Sequence, residues 1–178
     1  MATDRYENFV IQRDTREPQP YTFDAQFELP AAKTVDQVMK TGDYGIWKPG
    51  GGAPDAVVER KTLPDLIGSV CDKRIWTQAE RLFGIEYAAV VIEATWEEII
   101  KGIWKHSLMN PAALSGCIVK LQQDYGLTVH LGGKREFAEY WTYKYLRKAH
   151  FRLTEKEHKS PAFAPDVSRA LPDLAKMK

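Results

Sequence analysis

Asp43 stands sixteen positions before Glu59, and Lys61 follows Glu59 by two. Taken as a strand, Val57-Val58-Glu59-Arg60-Lys61 sends successive side chains to opposite faces, so Glu59 and Lys61 emerge on the same face. Asp43 joins them if its own strand is a neighbour. Carboxylates so placed can hold a hard cation, and an ammonium group beside them can meet a phosphate. That is the minimum equipment for metal-dependent phosphodiester hydrolysis.

The elements that must position these groups can be read along the chain. A first strand is expected over 9–13, running into Asp14-Thr15-Arg16-Glu17, and Pro18 and Pro20 then stop regular structure. Residues 21–32 read as irregular, 33–39 as a second strand and 43–47 as a third. The glycine-rich turn over 48–55 leads into the strand of Glu59 and Lys61, making an antiparallel hairpin that brings Asp43 towards Glu59. Thr62 suits an N-cap, Pro64 the first turn and Asp65 the N3 position, so one helix is expected from there to about Phe83, with Gly84 as its stop. Residues 88–93 are a nearly all-apolar run suited to a central strand buried on both faces. A short helix over 96–104, a helix opened by Asn110-Pro111, a strand over 127–131 and a helix from Arg135 to about His150 complete the order, with Phe137, Tyr140 and Trp141 expected in the core. The fold expected is α/β, a mixed central sheet flanked by helices.

Composition narrows the class. With 178 residues, 44% hydrophobic and 28% charged, the chain fits one globular domain, and a net charge of +1 neither requires nor excludes a nucleic-acid partner. No apolar run reaches membrane-span or signal-peptide length, so no membrane role is expected. The expected location is intracellular: cytoplasm or nucleoid in a bacterial or phage setting, the nucleus in a eukaryote. Cys71 and Cys117 lack metal-site spacing and read as reduced core thiols.

Asp14-Thr15-Arg16-Glu17, Gly42-Asp43-Tyr44, Glu59-Arg60-Lys61-Thr62-Leu63-Pro64-Asp65-Leu66 and Arg74 with Gln78 occur in that order. Together they resemble the XPF-type nuclease domain, a branch of the PD-(D/E)XK nucleases with a restriction-endonuclease-like fold. The resemblance spans roughly residues 9–150. It implies a DNA endonuclease dependent on Mg²⁺, with Mn²⁺ as a substitute, acting on branched, flapped or discontinuous duplexes in repair, recombination or replication and leaving 5′-phosphate and 3′-hydroxyl ends. Asp43 and Glu59 become the expected direct ligands, and the resemblance adds the backbone carbonyl of Arg60. Lys61 orients a water or stabilises negative charge in the transition state. The resemblance also turns Asp14 and Glu17 towards the metal, as holders of a second ion or as tuners of Lys61. The alternative for that pair is loop capping by Asp14 and a surface pair between Arg16 and Glu17.

Further residues are candidates for DNA contact. Arg16 could meet a phosphate. Arg74 and Gln78 share a helix face and could reach phosphates near the cut, or Arg74 could pair with Asp72 or Glu80. Lys144, Arg147, Lys148 and Arg152, with Tyr143 and Tyr145 interleaved, form a modest basic patch, for which a solvated helix face is the commoner explanation. Thr62 and Asp65 read as structural support behind Lys61. The nuclease domain is expected over 1–152, and 153–178, with Pro161, Pro165 and Pro172, as a polar tail that is loosely ordered or docks on a partner. Nothing after the last helix corresponds to the tandem helix-hairpin-helix module of long XPF-type proteins. A stand-alone nuclease, a homodimer built through its own helices, or a chain served by a recruiting partner all fit that departure. The runner-up function is a catalytically silent DNA-binding scaffold on the same fold.

Overall fold

A computed structural model describes residues 9–46, 54–104 and 107–158. Most of the glycine-rich turn expected over 48–55 and most of the expected tail lie outside the described residues. The described elements are β1 (Val10–Arg13), β2 (Lys33–Asp36), β3 (Tyr44–Ile46), β4 (Ala56–Thr62), α1 (Leu63–Cys71), α2 (Arg74–Leu82), β5 (Tyr87–Glu93), α3 (Trp96–Lys101), α4 (Pro111–Gln123), β6 (Thr128–Leu131) and α5 (Arg135–His158). The strands form one sheet in the order β2-β1-β3-β4-β5-β6. β3 is antiparallel to β1 and β4, whereas β4, β5 and β6 run parallel. The sheet is therefore mixed, as expected, with β3 running against the other five strands.

Helices cover both faces. Val57, Ala88, Val90 and Ile92 point into a core with Leu66, Ile75, Leu82, Leu114 and Ile118 of α1, α2 and α4. Ala56, Val58, Ala89 and Val91, the alternate positions, pack with Tyr21, Phe23 and Tyr44 and with Ala138, Leu146 and Ala149 of α5. A strand buried on both sides needs apolar residues at every position, which is why 88–92 carries no polar residue. Each fully buried Val or Ile contributes about 1.5–3 kcal/mol.

Several boundaries differ from expectation. The helix expected from Thr62 to Phe83 is two, separated at Asp72 and Lys73, with Lys73 in the left-handed region at φ 60°. Phase explains the break. At about 100° per residue, the apolar stripe of Leu63, Leu66 and Ile67 and that of Ile75, Ala79 and Leu82 would lie roughly 130° apart on one straight helix. The break turns both stripes onto one core. The second strand stops at Asp36 rather than 39, and the third starts at Tyr44 rather than 43, with residue 47 outside the described residues. The last helix continues to His158 rather than ending near His150. Phe137 is 48% exposed and stacks on Phe27 instead of entering the core. Cys71 is exposed and Cys117 half-buried, so neither is a core thiol.

Candidate active site

Gly42, Asp43 and Tyr44 have three separate jobs at the entry to β3. Gly42 takes φ 71°, and a Cβ there would lie 2.0 Å from Cγ1 of Val57, so only glycine lets this chain approach β4 so closely. Tyr44 is fully buried, stacks on Tyr21 at 4.9 Å, and its hydroxyl accepts the Tyr21 N–H at 2.8 Å. Between these anchors Asp43 reaches β4, where its Oδ2 accepts the backbone N–H of Arg60 at 2.7 Å. Burial, then the negative charge of Glu59, pushes the Asp43 carboxyl up to about 8.

β4 supplies the opposite wall. Glu59 and Lys61 share the face of Val57, towards α1 and α2, as alternation requires. Lys61 Nζ donates to Glu59 Oε1 at 2.7 Å, and Gln78 Nε2 of α2 donates to the same oxygen at 2.6 Å. The other amide atom, Gln78 Oε1, is buried without a hydrogen-bond partner. Thr62 caps α1 as expected: its hydroxyl accepts the Asp65 N–H at 3.3 Å and donates to Asp65 Oδ2 at 2.5 Å. The result is an open cleft of about 420 Å³ lined by Glu17, Asp43, Glu59, Arg60, Lys61, Thr62, Asp65, Arg74 and Gln78, with Pro18, Gln19 and Ser69.

Arg60 points the other way. On the α5 face its Nε and Nη2 donate to the two oxygens of Glu93 at 2.8 and 3.0 Å, and its Nη1 donates to Glu17 at 2.8 Å and to the Gln19 carbonyl at 3.2 Å. The guanidinium lies 5.2 Å from the Tyr21 ring centre. Glu93 is pushed up by burial and down, more strongly, by Arg60 and the Tyr21 hydroxyl, so it is held below the usual carboxylate range.

The sequence candidates thus separate. Asp43, Glu59, Lys61, Glu17, Arg74 and Gln78 meet at one cleft. Asp14 is buried but does not line it; its carboxylate accepts from Arg16 Nε at 3.0 Å and from the Arg16 N–H at 3.0 Å. Burial alone would raise Asp14, but the Arg16 bonds outweigh it and hold the carboxyl low. Glu17 reaches the cleft already bonded to Arg60 rather than to Arg16. Gln78 serves Glu59 instead of extending to solvent, and Arg74, 63% exposed, pairs with Asp72 at 3.3 Å. Arg16 is also 63% exposed in its side chain. Lys144, Arg147 and Lys148 belong to α5, which packs on the face opposite Glu59 and Lys61, and none lines the cleft. Tyr143, expected in that patch, is a core residue.

Sequence reasoning missed Glu93, Tyr21 and Arg135. Arg135 Nη2 donates to the carbonyls of Gln19 and Pro20 at 3.0 and 2.9 Å, and its guanidinium lies 4.9 Å from the Tyr21 ring centre. A charged Glu93 ending an all-apolar strand was the one available signal.

Comparison with known proteins gives this geometry a family. The model of the ERCC4 domain matches residues 13–144. The chain belongs to the ERCC4 domain family. That match covers every motif from Arg16 to Gln78 and runs on into α5. XPF from Aeropyrum pernix is similar in structure, with a TM-score of 0.61 at 20% identity over 84% of this chain and 69% of that one. Its complex with DNA gives 0.56 at 20% identity, over 86% and 68%. At that identity the likeness concerns the fold, a six-stranded mixed sheet of the XPF nuclease-domain type. The "Putative ATP-dependent RNA helicase MJ1505" of Methanocaldococcus jannaschii is 27% identical over 93 residues, which is 52% of this chain. The chain spans 10% of that relative's length. No helix among the described residues is long and apolar enough to cross a membrane.

Proposed function

We propose that this ERCC4 domain is a divalent-cation-dependent DNA endonuclease that hydrolyses phosphodiester bonds in the cleft between β4 and α2, on branched or otherwise discontinuous duplexes. The observation that carries the reading is Asp43 held against β4 beside Glu59, with Lys61 at 2.7 Å from the same Glu59. The donor set suits Mg²⁺. Among the described residues no three His, Cys, Asp or Glu side chains cluster as a full ligand set. Mg²⁺ needs none, since it binds through one or two carboxylates and keeps several waters. The buried, charge-crowded Asp43 is the group a cation would relieve. Asp43, Glu59 and the Arg60 carbonyl would hold it. The carbonyl qualifies because the N–H and C=O of one strand residue point to the same side, and the Arg60 N–H already faces Asp43. When bound, the ion would polarise the phosphodiester and lower the pKa of a water.

The protein's own groups do the rest. Lys61, buried and fixed by Glu59, offers its ammonium protons to oxygens that gain charge in the transition state. Gln78 keeps Glu59 in place from the side of α2. Arg74 lines the cleft, is exposed, and can exchange Asp72 for a phosphate. That XPF from Aeropyrum pernix has been solved with DNA supports DNA as the polymer.

Cleavage of end-labelled flap, fork, plain duplex and single-stranded DNA with Mg²⁺, beside Lys61→Ala and an EDTA control, tests the reading. Metal-dependent cutting of the branched substrates, lost in Lys61→Ala, is expected. No cutting with Mg²⁺ or Mn²⁺ while DNA is still bound would instead support the silent scaffold.

A further inference from the structure

We infer that Glu93 is a positioning residue for the cation site: acting through Arg60, it fixes the β4 backbone that Asp43 grips and thereby sets the affinity of the site for its metal. The inference rests on the functional reading above. Glu93 sits at the end of β5, paired in parallel register with Thr62, and on the face of the sheet opposite Glu59 and Lys61. It does not line the cleft there. Its two oxygens take the Arg60 guanidinium as a fork, and Oε1 also accepts the Tyr21 hydroxyl at 2.9 Å.

What distinguishes this from an ordinary brace is where Arg60 leads. Its own N–H is the bond that holds Asp43, and its Nη1 holds Glu17. One residue therefore joins three carboxylates: Glu93 through the fork, Glu17 through the remaining guanidinium nitrogen, and Asp43 through the backbone. The side chain is only 6% exposed, so the fork cannot be replaced by water without moving the chain. If Glu93 loses its charge, Arg60 keeps Glu17 as its one charged partner and is drawn towards the cleft. The peptide that carries the Arg60 N–H and carbonyl moves with it. Groups that orient metal ligands from outside typically change metal affinity or activity by about 10–100-fold when replaced.

The test is a Mn²⁺ titration of the full chain, read by electron paramagnetic resonance, on wild type, Asp43→Asn, Glu93→Gln and Tyr21→Phe, with kcat and KM measured on whichever DNA the wild type cuts. Glu93→Gln is isosteric and keeps an acceptor for Arg60 and Tyr21. It is expected to weaken Mn²⁺ binding by about ten-fold or more, and to lower kcat with little change in KM for DNA. Tyr21→Phe keeps the stacked ring and the whole fork, so it folds even if Glu93→Gln does not, and should give a smaller loss in the same direction. Lowered thermal stability with unchanged Mn²⁺ affinity in both variants would overturn the inference, leaving Glu93 a structural brace and the metal reading intact. Wild type that binds no Mn²⁺, or binds it as tightly in Asp43→Asn, would overturn the metal reading and this inference with it.

Discussion

Lys61 and Arg60 are adjacent cations with opposite surroundings. Lys61 has one oxygen of Glu59 as partner and opens on the cleft, whereas Arg60 is enclosed by Glu93, Glu17 and Tyr21. Lys61→Met, which keeps the length and removes the charge, should therefore fold normally and still bind Mn²⁺. Turnover should fall by about 10²–10³-fold, the scale of losing one donor to developing charge. Circular dichroism and single-turnover cleavage check the two halves separately, and a collapse of the fold would show that Lys61 is structural. The sequence made this pair legible, because alternation along a strand is a local rule. It could not reveal that Gln78 serves Glu59 or that Glu93 holds Arg60. The Arg60–Glu93 bond joins positions 33 apart on different strands, and only the parallel register of β4 with β5 makes them neighbours.

Turns and breaks decide what each element can present. The β3 entry depends on Gly42, where an added methyl would meet Val57 Cγ1 at 2.0 Å with φ already at 71°. Gly42→Ala should cost about 2 kcal/mol or more by overpacking and backbone strain, read as a lowered urea midpoint. It should weaken Mn²⁺ binding too, since Asp43 is the next residue. Lys73 is the converse case. It holds φ 60° between α1 and α2, where a side chain is a burden, so Lys73→Gly should stabilise by up to about 1 kcal/mol. An unchanged or lowered midpoint would show that the lysine side chain makes up the difference. The N-caps Thr62 and Asn110 could be read from sequence because capping is a contact between near neighbours. The break at Asp72 and Lys73 was readable only by comparing the phases of two apolar stripes, which one continuous helical pattern conceals. Capping residues mark where a helix starts, and no comparable signal marked this interruption.

At the scale of the whole molecule, Asp43 links the site to stability. Its carboxyl, pushed up to about 8 in the folded state, ionises at a much lower pH when the chain is unfolded. Its contribution is therefore fully present below the unfolded value and is lost as pH rises through the folded one. The metal-free protein should lose thermal stability between roughly pH 4 and 8 and level off above that, and Mn²⁺ should restore it by binding the ionised form. Asp43→Asn should flatten that slope, raise Tm at pH 9 and abolish metal rescue. A pH profile parallel to wild type would show that Asp43 is ionised throughout. The mixed sheet with helices on both faces was legible as a class, from the order of elements and the all-apolar run of β5. The sheet order, with β1 between β2 and β3, depends on long-range pairing that no local pattern encodes.

β4 is addressed from both sides at once: Val57, Glu59 and Lys61 answer to α1, α2 and the cleft, Val58 and Arg60 to α5 and the Tyr21 cluster. Such a segment offers evolution almost no neutral steps. Exchanging Arg60 with Lys61 would preserve composition, charge and strand propensity, and yet place a lysine where a planar fork is required and a guanidinium where a compact ammonium fits. In a saturation scan scored for folded yield and cleavage together, tolerance along β4 should stay uniformly low. Along β2 at the edge of the sheet it should rise at the exposed Lys33 and Asp36 and dip at Thr34 and Val35. A chain built this way should accept change at its loops and cleft rim, and resist it along the strand at its centre.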